Sequence, residues 1–222
     1  WHPTKTPIGV SNLPDPYSGT VPHVMDTKEV YRVAEAYINT AKRLADCGFD
    51  GVELHGAHGY LITQFLSAAS NIRDDEFGGD TVSRTLFIRN IAQGIKEACG
   101  KNFIVGLKMP ADEGVEGGVD PNEAEQITKL LSATNNFDYF SYGQGNFSLS
   151  LENHVPDLYF KEGHFIDLHK RMRAAANGVP VMALGRIGTA QLAEDVIENG
   201  NGDLVGMSRA LITDAALPQK AQ

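Results

Sequence analysis

Gly51-Val52-Glu53-Leu54-His55-Gly56-Ala57-His58-Gly59-Tyr60 is the stretch whose reading decides the fold. Val52 to Leu54 is a short apolar run, as expected of a buried strand. Glycines and polar residues follow at once, so the strand ends into a loop. His55, His58 and Tyr60, three groups able to hold an anion or move a proton, stand where it ends. Parallel α/β folds place their ligands outside the carboxyl ends of strands, which makes this point a candidate site.

The flanks alternate helix and strand. Asp26 with Glu29 resembles a capping box. Val30, Val33, Ala34, Tyr37, Ala41, Leu44 and Ala45 follow at helical spacing, and Gly48 suits the stop. A helix is expected from near Tyr60 through Phe65 and another from about Thr81 to Ala98. Phe103 to Met109 is the next strand and carries Lys108 near its end. Asp120 and Pro121 open a helix that ends around Ser132. Phe137 to Tyr142 forms a strand, Gly143 to Gly163 a long loop, and a helix runs on through about Ala176. Val179 to Leu184 is a strand ending in Gly185-Arg186. Thr189 to Asn199 is a helix, and Asp203 to Met207 is the last strand, followed by Ser208-Arg209 and a short helix.

This alternation, without repeat or linker, means one domain over residues 1–222 with a parallel sheet or a (β/α) barrel. A closed (β/α)8 TIM barrel takes eight strands and ~250 residues. The five strands counted here therefore describe an incomplete barrel, about five C-terminal β/α units with about three missing at the front. Residues 1–25 hold five of the ten prolines and are expected to be an irregular loop.

Composition narrows the function. The formal net charge of -9 and pI near 5.2 oppose binding to a phosphate backbone, so nucleic acid is not expected as a partner. No apolar run approaches the ~18 residues of a membrane span, and Trp1 to Lys5 lack a signal-peptide core. Cys47 and Cys99 have no metal spacing, and Cys99 is expected to end a helix. A reducing, cytoplasmic setting is the default. A small-molecule substrate is expected, and a homo-oligomer is compatible with the sequence.

Spacing alone gives the histidines three readings. His55 and His58 could hold a carbonyl oxygen as negative charge develops on it, with Tyr60 delivering a proton to carbon. Equally, they could satisfy loop carbonyls while Tyr60 packs under the helix. With Glu53 nearby they could also ligate zinc, but no further ligand stands at suitable spacing, so no metal is expected. Lys108 either snorkels or meets an anionic ligand, which its place at a strand end favours. Gly185-Arg186 and Ser208-Arg209 close two consecutive units, where barrels often bind phosphate through backbone N–H groups and an arginine clamp. Asn71 to Gly79, with Arg84, is dense in charge. It is either a solvated loop or an ion-paired brace of the rim.

Together these pieces resemble the old yellow enzyme family of FMN-dependent oxidoreductases. Residues 48–61 look like its fourth-strand signature, and Asn71-x-Arg73-x-Asp75-x-Phe77-Gly78-Gly79 with Arg84 is similar to the segment that follows. Gly185-Arg186 and Ser208-Arg209 match its phosphate-binding positions. The resemblance implies that His55 and His58 hold the substrate over FMN and that Tyr60 donates the proton. It implies that Lys108 stands near the flavin N1/O2 edge, where many members carry arginine. It further implies that Gly185, Arg186, Ser208 and Arg209 bind the FMN phosphate, with NADH or NADPH as reductant.

The loop from Gln144 to Ser148 is closer to the trimethylamine dehydrogenase and 2,4-dienoyl-CoA reductase branch. That implies a fragment of a larger flavoenzyme, with an iron–sulfur cluster in a downstream segment and Trp1-His2 as the tail of the third strand. Three activities follow as expectations. The first is hydride transfer from reduced nicotinamide through FMN to an activated alkene, enone or enoyl. The second is oxidative demethylation of a small amine, with Tyr139, Tyr142 and Phe147 as candidates for an aromatic bowl. The third is a catalytically silent partial barrel that does not retain FMN.

Overall fold

The computed structural model describes residues 6–221, so the expectation for Trp1-His2 lies outside the described residues. Its frame is a five-stranded, all-parallel sheet in the order β3 (Gly51–His55), β4 (Ile104–Asp112), β5 (Tyr139–Gln144), β6 (Val181–Leu184), β7 (Leu204–Gly206). Sequence order and spatial order coincide, as in a β/α barrel wall. Register aligns His55 with Lys108, Lys108 with Ser141, Ser141 with Met182 and Met182 with Leu204. One row thus crosses every strand on the face away from the helices.

The opposite face carries the core. On β4, Val105, Leu107, Met109 and Ala111 alternate with residues of the other face and are fully buried. They join Ile91 and Ile95 of α4 (Leu86–Cys99) and Ile127 and Leu131 of α5 (Pro121–Ser132) in one apolar cluster. Helix α1 (Thr27–Asp46) begins at the expected capping box: Glu29 N–H donates to Asp26 Oδ1 at 2.8 Å and Asp26 N–H to Glu29 Oε2 at 3.0 Å. It packs on α4 so closely that a Cβ on Gly94 would lie 2.2 Å from Ile38 Cδ1. A larger residue there would have to push the end of the Ile38 side chain aside. Asp120 caps α5 through the N–H groups of Asn122 and Glu123, with Pro121 in the first turn.

Four expectations are corrected. Residues 1–25 are not wholly irregular: β1 (Ile8–Gly9) and β2 (His23–Val24) pair in parallel as a separate ribbon. The strand expected over Phe137–Tyr142 starts two residues later. The Asp138 carboxylate takes the Val105 N–H at 2.6 Å and leaves the ladder to begin at Tyr139. The helix expected over 81–98 is two, α3 (Thr81–Arg84) and α4, broken at Thr85. There Arg84 turns inward to donate to the carbonyls of Leu66, at 2.8 Å, and Gly79, and to Glu123. The 143–163 loop contains α6 (Leu151–His154).

The charged segment 71–79 is a brace, not a solvated loop. The Arg73 side chain is 7% exposed. It donates to the carbonyls of Val10, at 3.0 Å, and Met25, at 2.7 Å, and is forked onto Asp75. Asn71 Nδ2 donates to Phe65 O at 2.7 Å and Phe77 O at 2.8 Å. These bonds tie the β1–β2 ribbon and α2 (Leu61–Leu66) into one body behind the strand ends.

Candidate functional site

His55 is the last residue of β3, and the chain then turns sharply. His58 has φ 66° and Gly59 φ 83°. The left-handed region is costly for a residue with a Cβ, so this turn is held by its surroundings. Phe147 N–H donates to His58 O at 3.0 Å, and Gln64 Nε2 donates to Gly59 O at 3.2 Å. Tyr60 then leads into α2.

The turn brings the three sequence-marked rings together. His55 lies 5.2 Å from His58 and 5.3 Å from Tyr60, centroid to centroid. Tyr60 stacks on Phe147 at 5.5 Å and is 45% exposed. Gly143 of β5 closes the other side: a Cβ there would lie 2.5 Å from His58 Nε2.

Electrostatics keep the imidazoles neutral. Burial, then the neighbouring His154, His55 and Lys108, push His58 down to about 3. His55 is lowered by burial and Lys108, partly offset by Glu53. Each ring thus presents one N–H at neutral pH. Lys108 stays inside rather than snorkelling, with Nζ 3.4 Å from Glu53 Oε1. Burial and Glu53 push the Tyr139 phenol, on the same face, up to about 12. Glu53 therefore balances Lys108, a role its sequence position did not announce. Among the described residues no group of three His, Cys, Asp or Glu side chains could hold a metal ion.

The second set of residues closes β6 and β7, which are hydrogen-bonded neighbours. Gly185 has φ 109° and Arg186 φ 52°. Ser208 precedes α9 (Arg209–Thr213) and makes no capping bond with its side chain. Arg186 donates to Asp157 O, and Arg209 Nη1 to Pro156 O at 2.8 Å. Both arginines therefore grip the loop after β5, a contact that sequence spacing could not show. The uncommitted Ser208 hydroxyl and the adjacent arginines suit a phosphate group at the β6–β7 end.

The aromatic bowl does not assemble. Tyr142 faces the helices, fully buried, with its hydroxyl 2.8 Å from Thr128 Oγ1. Only Phe147 of the three candidates touches the triad. A depression of about 430 Å³ lies elsewhere, along the unpaired edge of β3 against α1. It shares only Glu53 and His55 with the site, and the strand ends, not this groove, hold the convergent polar groups.

Comparison with known proteins gives the family and the fold. A family profile described as NADH:flavin oxidoreductase / NADH oxidase matches residues 2–222. The NADH oxidase of Thermoanaerobacter brockii is 33% identical over 216 residues, 97% of this chain and 33% of that protein. A 2-naphthoyl-CoA reductase structure superposes with TM-score 0.88 at 26% identity, over 97% of this chain and 32% of that one. Histamine dehydrogenase from Rhizobium sp. 4-9 superposes with TM-score 0.87 at 30% identity, over 98% and 31%. The chain thus spans about a third of the length of these relatives.

Proposed function

The chain belongs to the NADH:flavin oxidoreductase / NADH oxidase family, as part of a TIM barrel, and on that premise we propose that it is the FMN-binding, substrate-activating portion of an NAD(P)H-dependent reductase of activated alkenes. The observation that carries this reading is the convergence of His55, His58 and Tyr60 within 5.3 Å at one strand end. FMN, when bound, supplies the hydride chemistry, and the protein supplies orientation and polarisation.

The two neutral imidazoles donate N–H groups to the carbonyl oxygen of an enone or enoyl substrate. They stabilise the charge that grows there when the β-carbon is reduced. Tyr60 delivers the proton to the α-carbon. Its 45% exposure lets the phenol be reprotonated from solvent. Lys108, held by Glu53, sets a positive charge in the same row as His55. Gly185, Arg186, Ser208 and Arg209 take the phosphate, Ser208 and Arg209 at the start of α9.

Oxidative demethylation of a small amine, with electrons passing to an iron–sulfur centre, draws on the likeness to histamine dehydrogenase. Of its three aromatic candidates, Tyr142 is buried against Thr128, while Tyr139 and Phe147 stay on the side of the site. The test is the visible spectrum of the purified chain before and after incubation with FMN, followed by reaction of the reduced protein with an enone. A flavin band that survives dialysis and reoxidises with the enone supports the reading. A colourless chain that cannot be reconstituted overturns it for this chain and leaves the silent-barrel alternative.

A further inference from the structure

His154 lies 96 positions beyond His58 in the chain, yet its ring is much nearer to His58 than the ring of His55 is. The His58 and His154 centroids are 3.8 Å apart and the rings 17° from parallel, against 5.2 Å and 54° for His55 and His58. The placement is built, not incidental. His154 ends α6, whose first turn is bolted to the sheet by Ser150. The Ser150 hydroxyl donates to Glu113 O at 2.7 Å and accepts from Asn146 N–H at 2.8 Å, while His154 N–H donates to Ser150 O at 3.3 Å. Ser150 and Asn146 are both buried. Gly145, which starts this turn with φ 72°, has its N–H on Asp112 O at 2.9 Å.

His58 needs such support. Its backbone is left-handed, and its ring is bounded by Gly143 on one side and the face of His154 on another. Remove the second wall and the ring gains rotamers that point away from a carbonyl over β3. We propose that His154 is a positioning residue for His58, its ring acting as the wall that fixes the imidazole donor for the substrate carbonyl. This rests on the reading of the triad as the carbonyl site.

The same wall covers one face of His58, whose burial is the first reason the ring stays neutral, with the charge of His154 itself the next. The titratable groups facing the pair are His55 and Glu53 on β3, Lys108 on β4, and Glu113, reached through Asn146. Lys108 and His55 remain when His154 is replaced, and the charge of His154 is lost alike in H154A and H154F, so the difference between those two variants reads the wall alone. His154 Nδ1 is buried and bonds to nothing. A phenylalanine in its place therefore keeps the stack and gives up no hydrogen bond at that atom.

The experiment is a proton NMR titration of the His58 ring, assigned by its loss in H58Q, in the chain as expressed and in H154A and H154F. In the unmodified chain and in H154F, His58 is expected not to titrate over roughly pH 5 to 8. In H154A its protonation constant rises by about tenfold or more and moves towards that window. An H154A titration like the unmodified chain, or an H154F titration like H154A, would overturn the proposal. Should H154A not fold, cross-relaxation between the two rings in the unmodified chain decides: it is expected, and its absence refutes the stack. None of these readings requires flavin, so failure to bind FMN and failure of this assignment are separate results.

Discussion

Adding a single methyl group at Gly143 should displace the His58 donor without touching the donor itself. The new Cβ would sit 2.5 Å from His58 Nε2, 3.2 Å from Cε1 and 3.3 Å from Cδ2. Comfortable separations are about 3.5–4.0 Å, so the overlap is about 1 Å. Gly143 is not among the residues with positive φ, so alanine fits its backbone and the effect comes from the clash alone. The ring cannot recede freely, because the His58 carbonyl is held by Phe147 N–H at 3.0 Å and His154 stands 3.8 Å behind it. Forcing a methyl into such a place costs about 1–3 kcal/mol, and in a chain of this size each kcal/mol lowers the melting midpoint by roughly 2–4 °C. The larger consequence is for binding: losing a neutral donor's hydrogen bond costs about 0.5–1.5 kcal/mol, roughly 2–12-fold in affinity. The assay is the dissociation constant of a non-reacting cyclic enone analogue in flavin-loaded protein, alongside the melting midpoint. Affinity within twofold of the unmodified protein, with an unchanged midpoint, would refute the claim that His58 is pinned between Gly143 and His154.

Three further outcomes are expected. Tyr60→Phe should slow reoxidation of the reduced protein by an enone by about 10²–10⁴-fold, while reduction by nicotinamide, which needs no proton from the phenol, keeps its rate. Equal enone rates would remove Tyr60 from the proton-donor role. Arg209→Ala should lower flavin retention on dialysis by tenfold or more, since a hydrogen bond to a charged group contributes about 1.5–3 kcal/mol; full retention would place the phosphate elsewhere. Stability should fall on acidification below the ordinary histidine value of 6.5. His169 is buried, with Nδ1 donating to Phe165 O and Nε2 accepting the Leu184 N–H, and burial lowers it, as burial lowers His55, His58 and His154. The unfolded chain then binds protons that the folded chain refuses. Their contribution is complete above 6.5 and is lost as pH falls from there towards the folded values. Urea midpoints that do not change between about pH 7 and 5 would contradict this.

Much of the scaffold was legible because it rests on local signals. The Asp26–Glu29 box, the Asp120-Pro121 start and the apolar strands each declare themselves within a few residues, and β order follows from alternation. The triad was legible for the same reason, since His55, His58 and Tyr60 share one turn. What was hidden depends on side chains reaching across the fold. Asp138 trims β5, Arg84 breaks a helix to reach Leu66 O, and Arg73 turns a charged loop into a buried brace. His154, Gly143 and Glu53 complete the site from separate segments, with no spacing that links them. Tyr142 misled because composition cannot tell which face of β5 it occupies.

The account claims that the imidazoles and the flavin share one cavity. The measurement that tests it most directly is the visible difference spectrum of the FMN-loaded chain on adding a non-reacting enone analogue, repeated with His55→Asn/His58→Asn. A ligand-induced shift of the flavin band in the unmodified chain, abolished in the double variant at the same flavin content, is expected. A bound flavin whose band shifts equally in both proteins would show that the two histidines do not face it.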